Sequence, residues 1–413
     1  MTDRRVISAP LLLCLLLTVY GSMAQAMIGP GSIDTAMWRW SVFDYGCSFA
    51  QAVVLPYLIF GLRHRVPVRA RGPVVIAAAL FAVAALWVVG RPILQGVMGS
   101  GDTLWAVYKW GFRVFGAAML GATIAFTIAA RAWTRVPLAA IGAVLATLAM
   151  GWLPYFDEKL WDFIFEHNLF ARAYWPLRET MWVGSMIAIA HSLAKDSAPT
   201  APDPALAVRS LRRGAIGIAV LAAGGVVTAF AALAREGADL KPMLLGGPAL
   251  AVAGSLVCAS ALFDLERARL EGIGRTLLAL GALAIVWWAG VQVERTSWLY
   301  AELAGKETYV GEAGLGVWLV LGPIIAAGGL LVAAIAAVGA RASGQLGTSH
   351  IALYVMAQSI AGLGQMVSGT ERTMTLTIVL LGAAGYATTA HLFSRLASAI
   401  EHTPGLPIAR IRS

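Results

Sequence analysis

The chemistry open to this chain rests on a few polar side chains beside its long apolar runs. An arginine guanidinium can hold a carboxylate with two parallel hydrogen bonds, and a glutamine amide offers both a donor and an acceptor. Such groups either bind or gate a solute, or only anchor helix ends at a membrane surface. The candidate solute-binding residues are Asp44, Gln51, Arg91, Arg113, Glu179, Trp182, Gln292, Gln358 and Gln365.

Two placements within this set lead to specific expectations. Asp44, Arg91 and Arg113 lie near the same boundary of three successive apolar runs, so Asp44 is expected to pair with one arginine. The other arginine would then attract an anion or close a gate; alternatively, all three extend separately to lipid headgroups. Gln358 lies in the middle of a run, where its amide must either bond a neighbouring helix or line a cavity.

Other kinds of chemistry lack the residues that they need. No Asp or Glu falls inside an apolar run, which argues against a buried proton relay, a carboxylate metal centre and an aspartyl protease. His191 and His391 lie near the cytoplasmic end of the last apolar run of each half, and a satisfied helix-end histidine is the simpler interpretation. The sequence shows no metal-ligand spacing, nucleophile motif or phosphate loop in a supporting context. We therefore expect no catalytic residue, no metal and no cofactor.

The composition places these residues in a membrane protein. Hydrophobic residues make up 59% of the 413 and charged residues 13%, with a mean hydropathy of +0.75. Soluble domains carry about 25% charged residues, so most of this surface must face lipid. The net charge of +9 reflects a bias of basic residues towards one side rather than nucleic-acid binding. The expected partners are membrane lipids, a small-molecule substrate and subunits of a membrane complex.

The expected fold is an all-α polytopic bundle of about twelve transmembrane helices in two six-helix halves. The halves are residues 1–194 and 214–394, and a cytosolic tail follows at 395–413. Segment 195–213 holds three prolines within six residues and ends in arginines, so it reads as a cytosolic linker. The predicted spans are 8–28, 46–62, 73–90, 114–130, 136–154, 180–194, 214–234, 242–263, 275–293, 313–340, 350–368 and 373–394.

The orientation follows from the lysines and arginines. With the N-terminus in the cytoplasm, 19 of the 31 basic residues fall on the cytoplasmic side, which also places the C-terminus there. The excess of arginine over lysine and the many alanines and glycines are typical of a GC-rich bacterial genome, so the expected location is a bacterial inner membrane. Residues 1–26 also resemble a signal peptide, whose cleavage would leave eleven spans.

The layout resembles the major facilitator superfamily, which has six plus six helices, a central linker and cytoplasmic termini. The family's loop between helices two and three carries a glycine–acid–arginine pattern, and Gly61–Arg71 matches its glycine and arginines without the acid. The equivalent loop of the second half, Asp264–Arg275, keeps an acid, arginines and glycines in looser spacing. Arg113 and Gly116 are similar to the pair that opens the family's fourth helix.

The resemblance implies a transporter that works by alternating access, with two halves rocking about a central cavity. With no acid in the core, its solute is expected to be neutral or anionic, without proton coupling. A non-transporting subunit of a membrane complex is the second hypothesis, since the core holds few polar groups. The third is a membrane-embedded enzyme, whose catalytic pair would come from Asp44, Glu179, Glu294 and His167.

Overall fold

The part of the chain described by the computed structural model consists of seven long α-helices without a strand. The described residues are 13, 14, 17, 45–64, 66–99, 101–133, 157, 159, 180, 182, 184, 202–233, 241–268, 274–306 and 372–402. The helices are α1 (Gly46–Leu62), α2 (Val68–Met98), α3 (Asp102–Trp133), α4 (Pro204–Leu233), α5 (Lys241–Arg267), α6 (Arg275–Leu303) and α7 (Arg372–His402). The all-α class expected from the sequence is confirmed for these residues.

Five of these helices, α2 to α6, are long and apolar enough to cross a membrane, and the apolar α1 is shorter. The described residues thus contain five membrane-length helices rather than about twelve. Seven predicted spans meet a described helix. The other five lie outside the described residues except at isolated positions; they are 8–28, 136–154, 180–194, 313–340 and 350–368.

The helices extend beyond most of the predicted spans. Only α1 coincides with its prediction, whereas α3 begins at Asp102 instead of 114 and α4 begins at Pro204 instead of 214. The predicted spans end where charged residues begin, because only the apolar part of a helix can lie in hydrocarbon. The helical backbone itself continues until a capping signal or a glycine ends it.

The described helices form two compact units, of which the first contains α1, α2 and α3. Helix α2 packs against both α1 and α3. Its buried side is made mostly of alanines, with Phe81 as a large buried side chain, while Phe49 and Phe126 are buried on α1 and α3. Small residues on α2 let its neighbours approach closely, as is usual where membrane helices pack.

A glycine turn joins α2 to α3. Gly99 adopts φ 73° and ψ −163°, a conformation open essentially to glycine alone, and its N–H donates to the Gln95 carbonyl at 2.9 Å. Two residues later Gly101 precedes α3, which carries Asp102 in its first turn where the helix dipole favours an acid. The turn therefore brings the C-terminal end of α2 beside the N-terminal end of α3.

The second unit contains α4 to α7 and is built on a close contact between α4 and α5. Glycines recur every seven residues on both helices, at Gly217 and Gly224 on α4 and at Gly247 and Gly254 on α5. A Cβ atom on Gly254 would lie 2.5 Å from the Leu221 nitrogen, so the two backbones almost touch. Helix α7 packs on another side of α4, where the Phe393 ring lies against Gly214.

The start of α4 has a strong capping signal. The Asp203 carboxylate accepts a hydrogen bond from the Leu206 N–H at 2.9 Å, and Pro204 occupies the first helical position. The Asp203 N–H donates to the Ala268 carbonyl at the end of α5, also at 2.9 Å. Residues 204–213 of the predicted linker are consequently helical and joined to α5, whereas 195–201 lie outside the described residues.

Ion pairs gather at this end of the second unit, here called the basic end (Arg209, Arg212, Arg213, Asp264, Arg267 and Glu401). Arg213 of α4 and Arg267 of α5 both bind Asp264, at 2.5 and 3.1 Å. Arg212 binds Glu401 of α7 at 2.5 Å. Asp264, predicted to open a loop, instead lies in the last turn of α5 and ties α4 to the end of α5.

Candidate functional site

The polar groups of the first unit concentrate where α1 begins, α2 ends and α3 begins. We call this region the polar end, defined by Tyr45, Gln51, Trp87, Arg91, Gln95 and Tyr108. The turn at Gly99 positions α2 and α3, and a contact between Arg91 and Tyr45 brings in α1. The region therefore takes at least one side chain from each of the three helices.

Arg91 is the cationic group of the polar end. Its guanidinium lies 5.5 Å from the centre of the Tyr45 ring, within the range of a cation–π interaction. Pro92 follows it inside α2 and removes one helical N–H donor. The Arg91 carbonyl accepts a hydrogen bond from the Tyr108 hydroxyl at 3.1 Å, which ties α2 to α3.

Aromatic rings fix the walls of this region. The Trp87 ring meets Tyr108 and Phe112 edge to face, with centroid distances of 5.6 and 5.4 Å. The ring also lies against Gly111, where an added Cβ would meet it at 1.9 Å, so only glycine leaves room for the indole. The Tyr108 hydroxyl also lies 3.4 Å from the Gln95 side-chain oxygen, its second acceptor.

Two buried side-chain nitrogens in the first unit have no hydrogen-bond partner within the described part of the chain. They are the Gln51 side-chain nitrogen and the Trp87 indole nitrogen. A donor left unsatisfied in an apolar interior costs about 1–3 kcal/mol. Both nitrogens are donors, so together with Arg91 they favour a ligand that brings hydrogen-bond acceptors. Helical rise places Gln51 about 9 Å beyond Tyr45 and Trp87 about 6 Å before Arg91, at similar depths.

Two further predicted residues of the first unit, Arg113 and Trp182, make contacts of their own. The Arg113 guanidinium lies over the Trp110 ring of its own helix, 5.0 Å from its centre. The Trp182 indole donates to the Thr123 hydroxyl at 3.3 Å, and both side chains are buried. Thr123 is ten residues beyond Arg113 on α3, about 15 Å further along the helix. Trp182 thus contributes to helix packing rather than to the polar end.

In the second unit, Gln292 lies on α6, a helix buried on nearly all sides. One turn earlier, the Trp288 indole nitrogen is buried with no partner in the described part of the chain. Glu294 was expected at the boundary of its span, yet α6 continues to Leu303 and the Glu294 side chain is only 6% exposed. A carboxylate is therefore buried at the end of the apolar stretch of α6.

The remaining predicted residues, Asp44, Glu179, Gln358 and Gln365, lie outside the described residues. The pairing of Asp44 with an arginine stays a prediction. The described residues contain no group of three or more His, Cys, Asp or Glu side chains that could hold a metal ion. Cys14, Cys47 and Cys258 are buried.

Sequence reasoning missed Tyr45, Trp87 and Tyr108. A signal was present, because Trp87, Arg91 and Gln95 recur every four residues and so share one side of α2. The partner glycine at Gly111 could not be identified from that spacing, because it lies on another helix.

No protein-family model, curated protein or solved structure matches this chain.

Proposed function

We propose that this chain is a multi-pass transporter of the bacterial inner membrane, with cytoplasmic termini, that moves a small neutral or anionic solute. In this proposal two six-helix halves, about twelve helices in all, rock about a central cavity as in the major facilitator superfamily. The observation that carries it is the pair of buried nitrogens, on Gln51 and Trp87, that have no partner among the described residues of the unit that also presents Arg91. Two buried donors and a cation favour a solute that presents acceptor oxygens.

The described part of unit one supports a neutral or anionic solute through the sign of its groups. Its buried unsatisfied nitrogens are both donors, and the charged side chain of the polar end is a cation. A cationic solute would meet Arg91 in low-dielectric surroundings, where like charges repel strongly. Buried Glu294 belongs to the other unit.

Binding is tested first. The purified protein is heated in detergent with lactate, succinate, inorganic phosphate or glucose, and with tetramethylammonium as a cationic control. We expect at least one of the four acceptor-rich probes to raise the unfolding midpoint. Arg91→Gln should abolish that rise, whereas Arg131→Gln, which removes an exposed arginine from the end of α3, should retain it.

Transport is then tested with the radiolabelled probe that binds, in proteoliposomes. Time-dependent uptake that Arg91→Gln removes is the expected result. Stabilisation by tetramethylammonium alone would contradict the solute class. Binding without uptake would contradict transport and favour the second hypothesis, a non-transporting subunit of a membrane complex.

A further inference from the structure

One side of α4 is exposed and is left uncovered by the other described helices. Its exposed residues follow each other at intervals of three and four, so they form one continuous stripe along the helix. The stripe consists of Arg209, Arg212, Ile216, Ala219 and Ala223. Ile216 has 63% of its surface exposed, and the Arg212 side chain has 56%.

The opposite side of the same helix makes the contacts within the unit. Gly217 and Gly224 lie against the backbone of α5, and Gly214 lies against Phe393 of α7. These residues are buried, so the unit's own packing fixes which side of α4 faces outward. The stripe is therefore set by the fold and does not depend on a side-chain rearrangement.

The stripe divides into a charged part and an apolar part. Arg209 and Arg212 are one turn apart at the start of the helix, and only apolar residues follow them on this side. The apolar part from Ile216 to Ala223 extends for about 10 Å, and the distance from Arg212 to Ala223 is about 16 Å. One leaflet of hydrocarbon is about 15 Å thick, half of the full core. The stripe thus has the length of a phospholipid standing in one leaflet.

The charges favour an anionic headgroup. Arg209 donates to the Ala205 carbonyl of its own helix at 3.3 Å through Nε, and its side chain is exposed. Arg212 pairs with Glu401, whereas Arg213 and Arg267 share the single carboxylate of Asp264. The four arginines of the basic end therefore outnumber its two paired acids. A guanidinium fork fits a phosphate well, and basic groups beside a membrane helix attract anionic lipid.

We propose that this stripe binds an anionic glycerophospholipid, with its phosphate at Arg209 and Arg212 and an acyl chain along Ile216, Ala219 and Ala223. Binding at this site joins the start of α4 to the bilayer at the place where the ion pairs join α4 to α5 and α7. The lipid therefore stabilises the second unit whether or not the chain transports a solute.

The test uses the full-length protein and native mass spectrometry with dioleoylphosphatidylglycerol, compared with dioleoylphosphatidylcholine. We expect tighter binding of the anionic lipid. Arg209→Gln should weaken that binding about fivefold, the effect expected for one arginine near an anionic surface. Arg209→Lys should keep most of it, because the charge remains, and Arg131→Gln, in the other unit, should leave it unchanged.

Equal binding of the two lipids overturns the proposal, and so does unchanged binding by Arg209→Gln. A second copy of the chain on the stripe would also overturn it; it would appear as a dimer that Ala219→Trp disrupts without changing lipid binding. The Arg209 side chain is exposed and its hydrogen bond is to a carbonyl of its own helix, so we expect Arg209→Gln to leave the fold intact. A matched unfolding midpoint for Arg209→Gln and Arg131→Gln without lipid confirms this.

Discussion

At the scale of single residues, the buried amide of Gln51 separates a functional interpretation from a structural one. If a side chain stabilises the fold, its replacement should lower the free energy of unfolding. The Gln51 nitrogen has no partner among the described residues, although the side chain is only 8% exposed. Its burial costs the fold free energy, so another requirement accounts for it. Solute binding is such a requirement, because a ligand acceptor would satisfy the donor.

This argument predicts opposite effects on stability and binding. Gln51→Leu should raise the free energy of unfolding by about 1 kcal/mol, because an unsatisfied donor is replaced by an apolar group of similar size. The same change should abolish the midpoint shift caused by the probe that binds. Both are read from thermal unfolding in detergent, with and without that probe.

Gln95 provides the matched control. Its side-chain oxygen lies 3.4 Å from the Tyr108 hydroxyl, so it already has a partner. Gln95→Leu should therefore lower the free energy of unfolding by about 0.5 kcal/mol. If Gln51→Leu destabilised the protein as Gln95→Leu does, the Gln51 amide would be a packing group, and its role in the solute site would be lost.

At the scale of elements, the sequence indicated where the helices lie along the chain but not how they pack against each other. The apolar windows located α1 to α7, because hydropathy over about 20 residues measures the transfer of a helix into lipid. The starts of α3 and α4 were predicted too late, because the residues near Asp102 and Pro204 are polar but still helical. Asp203 with Pro204 is a capping signal that could have moved the boundary.

The contacts between helices could not be predicted from the sequence. Trp87 fits against Gly111, and Gly254 against Leu221, because two helices meet in one particular register. Nothing in the local sequence of either helix specifies that register. The candidate residues Arg91 and Gln51 were identified correctly as polar exceptions in apolar helices, but Trp182 joined them only because of its position near a run end. Its bond to Thr123 depends on tertiary structure.

The glycine contact between α4 and α5 yields a prediction at this scale. Gly254→Ala should lower the free energy of unfolding by about 1–3 kcal/mol, because the new methyl group would lie 2.5–2.6 Å from backbone atoms that cannot move aside. Denaturation of the purified protein, followed by circular dichroism, gives the difference. Gly246→Ala is the control on the same helix, since a methyl group there meets nothing within 4 Å.

Gly246→Ala should be neutral or stabilise by about 0.5 kcal/mol, because alanine favours the helix more than glycine does. Equal effects at the two positions would show that helix propensity, rather than close packing, governs both. The close approach of α4 to α5 would then not be the basis of the second unit.

At the scale of the whole molecule, the distribution of charge predicts the orientation of the chain in the membrane. The basic end of the second unit places Arg209, Arg212 and Arg213 at the start of α4. Arginines and lysines concentrate on the cytoplasmic side of membrane proteins, so this start should face the cytoplasm. Counting helices back along the predicted order, the start of α3 should face the opposite side.

Cysteine labelling in intact cells tests this orientation. The three native cysteines are 0–2% exposed, so an added cysteine supplies the signal of a maleimide that does not cross membranes. Ala205→Cys at the start of α4 should be protected, and Thr103→Cys at the start of α3 should be labelled, because both positions are exposed on the protein. Permeabilised cells provide the control, in which both cysteines should react. Labelling of Ala205→Cys in intact cells would reverse the orientation and move the proposed anionic lipid into the outer leaflet, where the positive-inside rule gives no reason for a cluster of arginines.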